Sequence, residues 1–326
     1  MKAITQERYG SPDVLALRDV DRPVAGDDEV LVRVHAAAVN ALDWHFMRGD
    51  PYLARLDMGV GAPKQKVRGR DFAGTVESVG RDVRDLGPGD EVFGDADGAF
   101  AEYVRVPADQ VERKPATLTF EQAAAIPMAG RTALAGLREV AATGPGQRVL
   151  VNGASGGVGT FAVQVGTALG AEVTAVCSAR NVDLVRSLGA AEVIDYTTTD
   201  FTRGERRYDV VFDLVGNHPL GALRRVTTPT GTVVLSGGGV SRGGSFFGPM
   251  GLIIRGGLAA KIVRGQRIRV LQTPAPKGLL AALAELVEAG KVKPVIDRTY
   301  KLAEVPDAIR YLETEHARAK VVVTVP

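Results

Sequence analysis

The sequence has 326 residues, with 40 Lys and Arg against 38 Asp and Glu and a formal net charge of +2. The charges are interspersed, so the composition lacks the basic footprint of a nucleic-acid-binding protein, and we expect no nucleic-acid partner. A chain of this length exceeds what one hydrophobic core usually organises, which predicts two domains that share a cleft.

Cysteine usage and hydropathy indicate where the protein works. Cys177 is the single cysteine, which excludes an internal disulfide and is typical of a reducing compartment, so we expect a cytoplasmic protein. The first ten residues lack the apolar core of an export signal. The most apolar late segment, GPMGLIIRGGLAAKIV, is interrupted by Arg255 and Lys261, so we expect no membrane partner.

Short strands dominate the N-terminal third of the chain. Runs such as EVLVRVHAAAV, in which Val30, Val32 and Val34 share one face, are separated by turns rich in Gly, Pro and Asp. This pattern predicts a small antiparallel barrel. An alanine-rich helix follows, with Thr119 as its N-cap, and we expect Pro127 to break it into two pieces.

The central part of the chain alternates strands and helices. RVLVNGA predicts a buried strand and GGVGTFAVQVGTALGA a helix, and EVTAVCS and NVDLVRSLGA predict the next strand and helix. Further strands are predicted at EVIDY, YDVVFDLVG, TVVLSGG and IRVLQT. Such alternation is typical of a parallel doubly wound sheet, so we predict an α/β fold.

The last third of the chain contains a glycine-dense run and then two helices and a strand. The glycine-dense run from Gly237 to Gly265 is either a mobile segment over the cleft or a surface excursion without function. The chain then predicts an amphipathic helix in PKGLLAALAELVEAG, a helix in VPDAIRYLET and a final strand in KVVVTV.

The stretch VLVNGASGGVG fits two incompatible chemistries. The segment from Gly153 to Gly157 matches the G-x-S-x-G nucleophile elbow, with Ser155 as the attacking group. The segment from Ala154 to Gly159 matches the dinucleotide fingerprint, with alanine in its first glycine position. No oxyanion-loop motif precedes Ser155, whereas a strand, a helix and a second strand follow at βαβ spacing, which favours a phosphate cradle. The residues assigned to it are Ala154, Ser155, Gly156, Gly157, Val158 and Gly159.

The end of the next strand indicates which coenzyme is bound. NAD-binding chains usually place an acidic residue there to hold the ribose 2′-hydroxyl. This chain instead reads CSARN and has no acid before Asp183. Ser178 can donate a hydrogen bond to a 2′-phosphate and Arg180 presents a planar fork suited to its oxygens, so we predict NADPH as the cofactor.

Segments along nearly the whole chain form one further pattern, among them GRDFAGTVESVG, PGDEVFG, AAAIPMAGRTAL, GQRVLVNGASGGVGTFAVQ and HARAKVVV. Together they resemble the medium-chain dehydrogenase/reductase superfamily and, within it, the zinc-free quinone oxidoreductase branch. The resemblance implies a GroES-like β-barrel catalytic domain, formed by residues 1–117 and 273–326, and an inserted Rossmann domain, residues 118–272. It also implies a homodimer through the edge strand near IRVLQT.

The resemblance has a consequence for metal binding. Alcohol dehydrogenases of the superfamily use a histidine as a zinc ligand at the position where this chain has Arg70, and their structural zinc site needs four cysteines. A chain with one cysteine cannot supply that set. We therefore expect no metal and a zinc-independent reaction.

The resemblance also implies a set of site residues. Asn40 would lie beside the nicotinamide and the substrate, although asparagine is also a favoured helix N-cap. The proton donor is left open between His45, Tyr52 and water, because His45 stands near a position where the branch often has tyrosine. Further cofactor contacts are assigned to Thr132, Tyr196, Val215, Gly237 and Lys320.

The expected activity follows from the chemistry of hydride transfer without a metal. Hydride addition to a conjugated acceptor spreads the negative charge, so that hydrogen-bond donors suffice to stabilise it. We expect NADPH-dependent reduction of a quinone or an α,β-unsaturated carbonyl, a small-molecule substrate, in the interdomain cleft. Two alternatives stay open: an enoyl-thioester reductase of a biosynthetic pathway, with the glycine-dense run as a substrate lid, and a nucleotide-binding derivative without turnover.

Overall fold

The computed structural model describes residues 1–236, 250–271, 278–315 and 317–326. The chain folds into two compact units. The barrel unit comprises Met1–Ala129, Leu280–Glu288 and Pro294–Pro326, and the sheet unit comprises Gly130–Leu279 and Ala289–Lys293.

The chain forms strands throughout its length. In chain order they are β1 (Lys2–Gln6), β2 (Leu15–Asp19), β3 (Glu29–Val39), β4 (Asp71–Val79), β5 (Glu91–Asp95), β6 (Tyr103–Pro107), β7 (Val111–Arg113), β8 (Arg148–Asn152), β9 (Glu172–Cys177), β10 (Glu192–Asp195), β11 (Tyr208–Asp213), β12 (Thr227–Leu235), β13 (Arg267–Val270), β14 (Ile296–Lys301) and β15 (Lys320–Thr324).

Helices are short. In chain order they are α1 (Ala41–Arg48), α2 (Arg55–Met58), α3 (Phe120–Ala124), α4 (Pro127–Leu134), α5 (Gly157–Ala168), α6 (Val182–Ser187), α7 (Leu220–Arg225), α8 (Met250–Ile262), α9 (Leu279–Glu288) and α10 (Val305–Thr314). In the part of the chain that is described, every helix falls short of the length and apolar character that a bilayer crossing demands.

The barrel unit is built on a seven-stranded sheet in the order β14-β15-β3-β4-β5-β7, with β6 also paired to β3. Its pairs are antiparallel except β14 with β15, which run parallel. The last strand returns to the middle of the sheet, where Val321 pairs with Val39. The predicted barrel is thus confirmed, with one parallel pair that alternation along single strands could not indicate.

Strand β3 shows why the predicted alternation holds only in part. Val30, Val32 and Val34 are fully buried as expected, but Leu31 is buried as well. The end of the strand, residues 36–39, is buried on both faces because α3 packs against β3 and β4. That packing groups α3 with the barrel unit, while the domain limits expected at 117/118 and 272/273 stay predictions.

The start and break of the alanine-rich helix are as predicted. The Thr119 side chain accepts a hydrogen bond from the backbone N–H of Gln122 at 3.3 Å, and the Gln122 side chain accepts one from the Thr119 backbone at 3.0 Å. This reciprocal capping box satisfies two N–H groups that a helix start leaves without partners. After the break, α4 begins at Pro127, whose missing N–H costs nothing at the start of a helix.

The sheet unit holds a six-stranded parallel sheet in the order β10-β9-β8-β11-β12-β13. The strand order reverses between β8 and β11, and doubly wound sheets bind ligands at the carboxyl ends of the strands at such a reversal. Strand β13, which overlaps the predicted IRVLQT, lies at the edge of the sheet. Pairing of two such edges in a homodimer stays a prediction.

Candidate cofactor site and active site

The loop after β8 brings the start of α5 very close to the end of the strand. Gly153 has a φ of +87°, a left-handed conformation that favours glycine. A Cβ at Gly159 would lie 2.1 Å from the Gly153 carbonyl oxygen and 2.6 Å from the Ala154 carbonyl carbon. At Gly156, by contrast, φ is −78° and the nearest atom to a Cβ would be 3.5 Å away. Gly159 therefore serves the packing of helix on strand, whereas Gly156 leaves open space above the backbone.

That open space is where a phosphate can reach the backbone. Gly156 is the N-cap residue of α5 and no side chain caps it. The first N–H groups of a helix have no acceptor within the helix and carry its positive dipole end. Ser155, Gly156, Gly157 and Val158 are half-buried. The loop therefore fits the pyrophosphate of a dinucleotide.

The nucleophile interpretation of Ser155 finds no support in its contacts. The Ser155 hydroxyl accepts a hydrogen bond at 3.1 Å from the side-chain amide of Asn181. A serine hydrolase would need a histidine as its base. His218 stacks edge-to-face on Phe201 with ring centroids 4.8 Å apart, and His316 lies outside the described residues. Within the described part of the chain, Ser155 has an amide partner where a serine hydrolase needs a histidine.

The end of β9 carries the residues predicted to select the coenzyme. Ser178 follows the strand and caps a short 3-10 helix, Ala179–Asn181, in which Arg180 is exposed. The buried Asn181 amide also donates to the Ser178 hydroxyl at 3.2 Å. Asn181 thus joins Ser155 to Ser178, a link that sequence reasoning missed because it runs between side chains of two different loops.

The adjacent strand ends hold two further predicted contacts. The backbone N–H of Tyr196, after β10, donates to the Cys177 carbonyl at 3.1 Å, and the Tyr196 ring is exposed. After β11, the Asp213 carboxylate accepts from the backbone N–H groups of Val215 at 3.2 Å and Gly216 at 3.0 Å. Sequence reasoning did not find Asp213, although a buried acid at a strand end is a signal for such a loop anchor.

The hydrogen bonds in these loops hold most of the predicted cofactor residues of the sheet unit at the carboxyl ends of the strands. A Cβ at Gly153 would lie 2.7 Å from the Val215 side chain, so the loops after β8 and β11 are in contact. Thr132 is half-buried on α4. Gly237 lies outside the described residues, as does much of the glycine-dense run.

Within the barrel unit, three buried polar side chains form one network. The Lys320 ammonium donates to the Asn40 amide oxygen at 2.5 Å and to the Asp71 carboxylate at 3.3 Å. The Asn40 amide nitrogen donates to Asp71 at 3.0 Å and to the Ala38 carbonyl at 3.3 Å. The side chains of Lys320 and Asp71 are 2% and 0% exposed, so this is an ion pair shielded from water.

Asn40 is both the N-cap residue of α1 and a member of this network. Both of its amide hydrogens and its amide oxygen have protein partners, so the side chain is held firmly in place. Lys320, which the resemblance assigns as a cofactor contact, is buried against Asn40. The arrangement brings two predicted site residues together and adds the buried Asp71.

Asp43 lies beneath this network. Its carboxylate accepts a hydrogen bond at 2.8 Å from the backbone N–H of Asn40. Burial raises the pKa of Asp43 from its ordinary value of 3.8 to about 6, although that hydrogen bond and the nearby Arg68 lower it. Burial in turn lowers the pKa of the Arg68 guanidinium. The floor of the site is therefore a set of charges kept out of water.

His45 and Tyr52 sit on either side of the turn that ends α1. The His45 ring nitrogen Nδ1 lies 3.0 Å from the Asp50 carbonyl oxygen. A carbonyl only accepts, so Nδ1 carries the proton and Nε2 has a free lone pair in the neutral ring. Burial lowers the pKa of His45, against the effect of this hydrogen bond. Tyr52 is exposed, with the Arg55 guanidinium 4.6 Å from the centre of its ring.

Comparison with known proteins adds family-level findings. Residues 26–116 match the model of the alcohol dehydrogenase GroES-like domain, and residues 188–323 match a model described as zinc-binding dehydrogenase. The first match falls on the barrel unit, and the second begins in the sheet unit and ends in β15.

Relatives and a solved structure match over the full chain. The mitochondrial NAD(P)H oxidoreductase RTN4IP1 of Mus musculus is 36% identical, over 100% of this chain and 89% of its own. The chloroplastic NADPH-dependent alkenal/one oxidoreductase of Arabidopsis thaliana is 34% identical, over 99% and 79%. The quinone oxidoreductase structure from Coxiella burnetii matches with a TM-score of 0.86 and 32% identity, over 100% and 99%.

Substitutions of Gly159 and Gly156 in the phosphate loop are predicted to affect different properties, stability in the first case and dinucleotide binding in the second. Gly159→Ala puts a methyl group against backbone atoms and is expected to destabilise the protein by about 3 kcal/mol, the upper end for overpacking. Gly156→Ala fits the free loop and is expected to cost less than about 1 kcal/mol. Its methyl group fills the space above the backbone, so it weakens dinucleotide binding at least about tenfold. Urea unfolding and fluorescence titration measure the two effects, and equal stabilities of the variants would contradict the assignment.

The effects of substituting Lys320 and Asp71 on the free energy of unfolding are predicted to be strongly coupled. Lys320→Met leaves the Asp71 carboxylate buried without its charge partner and is expected to destabilise the protein by about 3–5 kcal/mol. Adding Asp71→Asn is expected to recover part of that loss, because no unpaired charge remains. The exposed pair Lys2 and Asp19, at 2.7 Å, is the control, and each of its variants is expected to leave the urea-unfolding midpoint nearly unchanged. A Lys320→Met cost as small as that of Lys2→Met would refute the coupling.

Proposed function

The chain belongs to the quinone oxidoreductase-like branch of the medium-chain dehydrogenase/reductase superfamily, and on that premise we propose that it transfers hydride from NADPH to a quinone or an α,β-unsaturated carbonyl without bound zinc. The observation that carries the proposal is the pair of loops at the ends of β8 and β9. One exposes a glycine backbone to a pyrophosphate, and the other offers a serine and an arginine, not an acid, to the ribose.

The coenzyme choice rests on charge at the end of β9. A 2′-phosphate carries close to two negative charges and is repelled by the acid that NAD-binding chains place there. Here the first acid is Asp183, beyond Ser178 and the exposed Arg180. A guanidinium fork binds phosphate oxygens in pairs, which supports NADPH over NADH. The Arabidopsis relative is itself named as NADPH-dependent.

The side chains that the structure describes do not favour a zinc site, although one matching family model carries zinc in its description. Across the described ranges, no group of three or more His, Cys, Asp and Glu side chains is placed to hold a metal ion. Arg70 brings a positive charge and pairs with Asp97 at 2.8 Å and Asp95 at 3.4 Å. Burial raises the pKa of the Cys177 thiol to about 11, which disfavours the thiolate that zinc requires.

The bound coenzyme would supply the hydride, and the chain's own residues set up the rest. The glycine loop would hold the pyrophosphate, and Ser178 with Arg180 would hold the 2′-phosphate. In the barrel unit, Asn40 and Lys320 fix the start of α1, which carries His45. Positioning of this kind lowers the barrier because the reactants no longer have to find their geometry by diffusion.

Conjugated acceptors suit this arrangement better than simple ketones. When hydride adds to a carbon conjugated with a carbonyl, the charge is shared along the conjugated system, and no strong Lewis acid is needed at the oxygen. The Asn40 amide already has protein partners on every hydrogen. A substrate whose own structure spreads the charge therefore places the smallest demand on the site.

The function is tested by following NADPH oxidation with a panel of quinones, enals, enones and enoyl thioesters. We expect turnover of quinones or enones, with kcat/KM at least about tenfold lower when NADH replaces NADPH, the scale of one charged hydrogen bond. Turnover of enoyl thioesters alone would favour the biosynthetic alternative. Tight NADPH binding with no turnover of any acceptor would favour the silent derivative and overturn the proposal.

His45 is predicted not to be the proton donor at neutral pH. Its lowered pKa leaves the ring neutral there, and the proton on Nδ1 is engaged by the Asp50 carbonyl. His45→Gln is therefore expected to change kcat by less than about threefold and to keep the pH profile from pH 7 to 9, because the loss of a general acid typically costs about a hundredfold or more. Tyr52→Phe is the matched test of the other side-chain candidate. A loss of kcat of about a hundredfold or more in His45→Gln alone would identify His45 as the donor.

A further inference from the structure

We propose that Asn181 is a positioning residue that holds the hydroxyls of Ser155 and Ser178 so that both donate to the phosphate groups of the coenzyme. Ser155 would donate to the pyrophosphate and Ser178 to the 2′-phosphate. The inference rests on the proposed use of a dinucleotide coenzyme and adds how the two phosphate subsites are coupled.

The geometry places one amide between two loops. Asn181 is 3% exposed and ends the short helix that follows β9. Its amide nitrogen is 3.1 Å from the hydroxyl oxygen of Ser155, which follows β8, and 3.2 Å from that of Ser178, which follows β9. Its backbone N–H donates to the Ser178 carbonyl at 2.9 Å, which fixes the turn. Both hydrogens of one side-chain amide are thus used to orient two serines.

The direction of these hydrogen bonds decides what the serines can do. A hydroxyl has one hydrogen to donate and two lone pairs to accept with. When an amide N–H occupies a lone pair, the hydroxyl hydrogen is left for another acceptor. Among the described residues, no side chain or backbone carbonyl accepts from Ser155 or Ser178. Phosphate oxygens are acceptors, and a hydroxyl that already accepts a hydrogen bond is a stronger donor.

The Asn181 amide oxygen shows that this orientation has a cost. It is buried and has no hydrogen-bond partner within the described chain. An amide turned the other way would accept the hydrogens of both serines and would lose both donors toward an anion. A buried unpaired oxygen destabilises a fold, and such local costs are concentrated at functional sites. The geometry is the one an anionic ligand needs.

The two serines serve different parts of the coenzyme, which makes the inference specific. Every nicotinamide dinucleotide carries a pyrophosphate, which Ser155 would contact, whereas only NADPH carries the 2′-phosphate that Ser178 would contact. Loss of Asn181 should therefore weaken NADH binding through one hydroxyl and NADPH binding through two. The affinity ratio between the coenzymes is the quantity that changes.

The experiment measures Kd for NADPH and NADH by fluorescence titration, without turnover. For Asn181→Ala we expect about a tenfold loss for NADPH and about a threefold loss for NADH, the range for hydrogen bonds to charged groups. Asn181→Asp is nearly isosteric but offers only acceptors and a negative charge, so NADPH binding should fall about a hundredfold. In a Ser178→Ala background, Asn181→Ala should leave the NADPH to NADH ratio unchanged, because its effect on that ratio runs through Ser178.

A control separates positioning from general loss of stability. Gln266 lies before β13, at the opposite end of the sheet, and donates to three backbone carbonyls at 2.8 to 3.2 Å. Gln266→Ala should lower the unfolding free energy and leave both Kd values unchanged. If the parent protein and the Asn181→Asp variant bind NADPH equally tightly, the inference about Asn181 is overturned. The proposed function is not affected by that result. Parent protein that binds neither coenzyme would overturn both.

Discussion

The cofactor site depends on one contact between backbone atoms. Helix α5 can begin where it does only because Gly159 has no side chain, since a Cβ there would overlap the Gly153 carbonyl. This approach directs the first N–H groups of α5 toward the carboxyl ends of the strands, at the point where the strand order reverses. It also brings Ser155 within reach of Asn181 and hence of the loop after β9. A larger residue would move the helix, and with it every donor assigned to the phosphates.

In the barrel unit, the pairing of strands that are distant in sequence determines where the polar side chains lie. Strand β15 pairs with β3 near the point where β3 leads into α1, with Val321 opposite Val39. This register sets Lys320 beside Asn40, residues that are far apart in sequence, and the start of β4 adds Asp71. Buried charges are tolerated only with close partners, so the network constrains how these three strands meet. Packing therefore holds in place the residues to which the resemblance assigns a role in the site.

The sequence predicted what depends on local chemistry. The Thr119 cap and the break at Pro127 follow from backbone hydrogen bonding, and the strands and helices of the sheet unit follow from hydropathy. The phosphate loop was assigned from its glycines and its βαβ context, and that assignment stays a prediction. Asn181 and Asp213 were missed because their role lies in which loops they join, and that depends on strand order and register. The burial of Lys320 was missed for a similar reason, since a lysine at the start of a strand is ordinarily solvated.

The buried network also bears on the class of acceptor. Asn40 has its amide hydrogens on Asp71 and Ala38, and its oxygen on Lys320. Redirecting an amide hydrogen to a substrate would leave a buried carboxylate short of a donor, at a cost comparable to the bond gained. Asn40, Asp71 and Lys320 are thus paired with one another before a substrate enters. Under the proposed function this favours quinones and conjugated carbonyls as acceptors, because their products delocalise the incoming electron pair and demand less of hydrogen-bond donors at one oxygen.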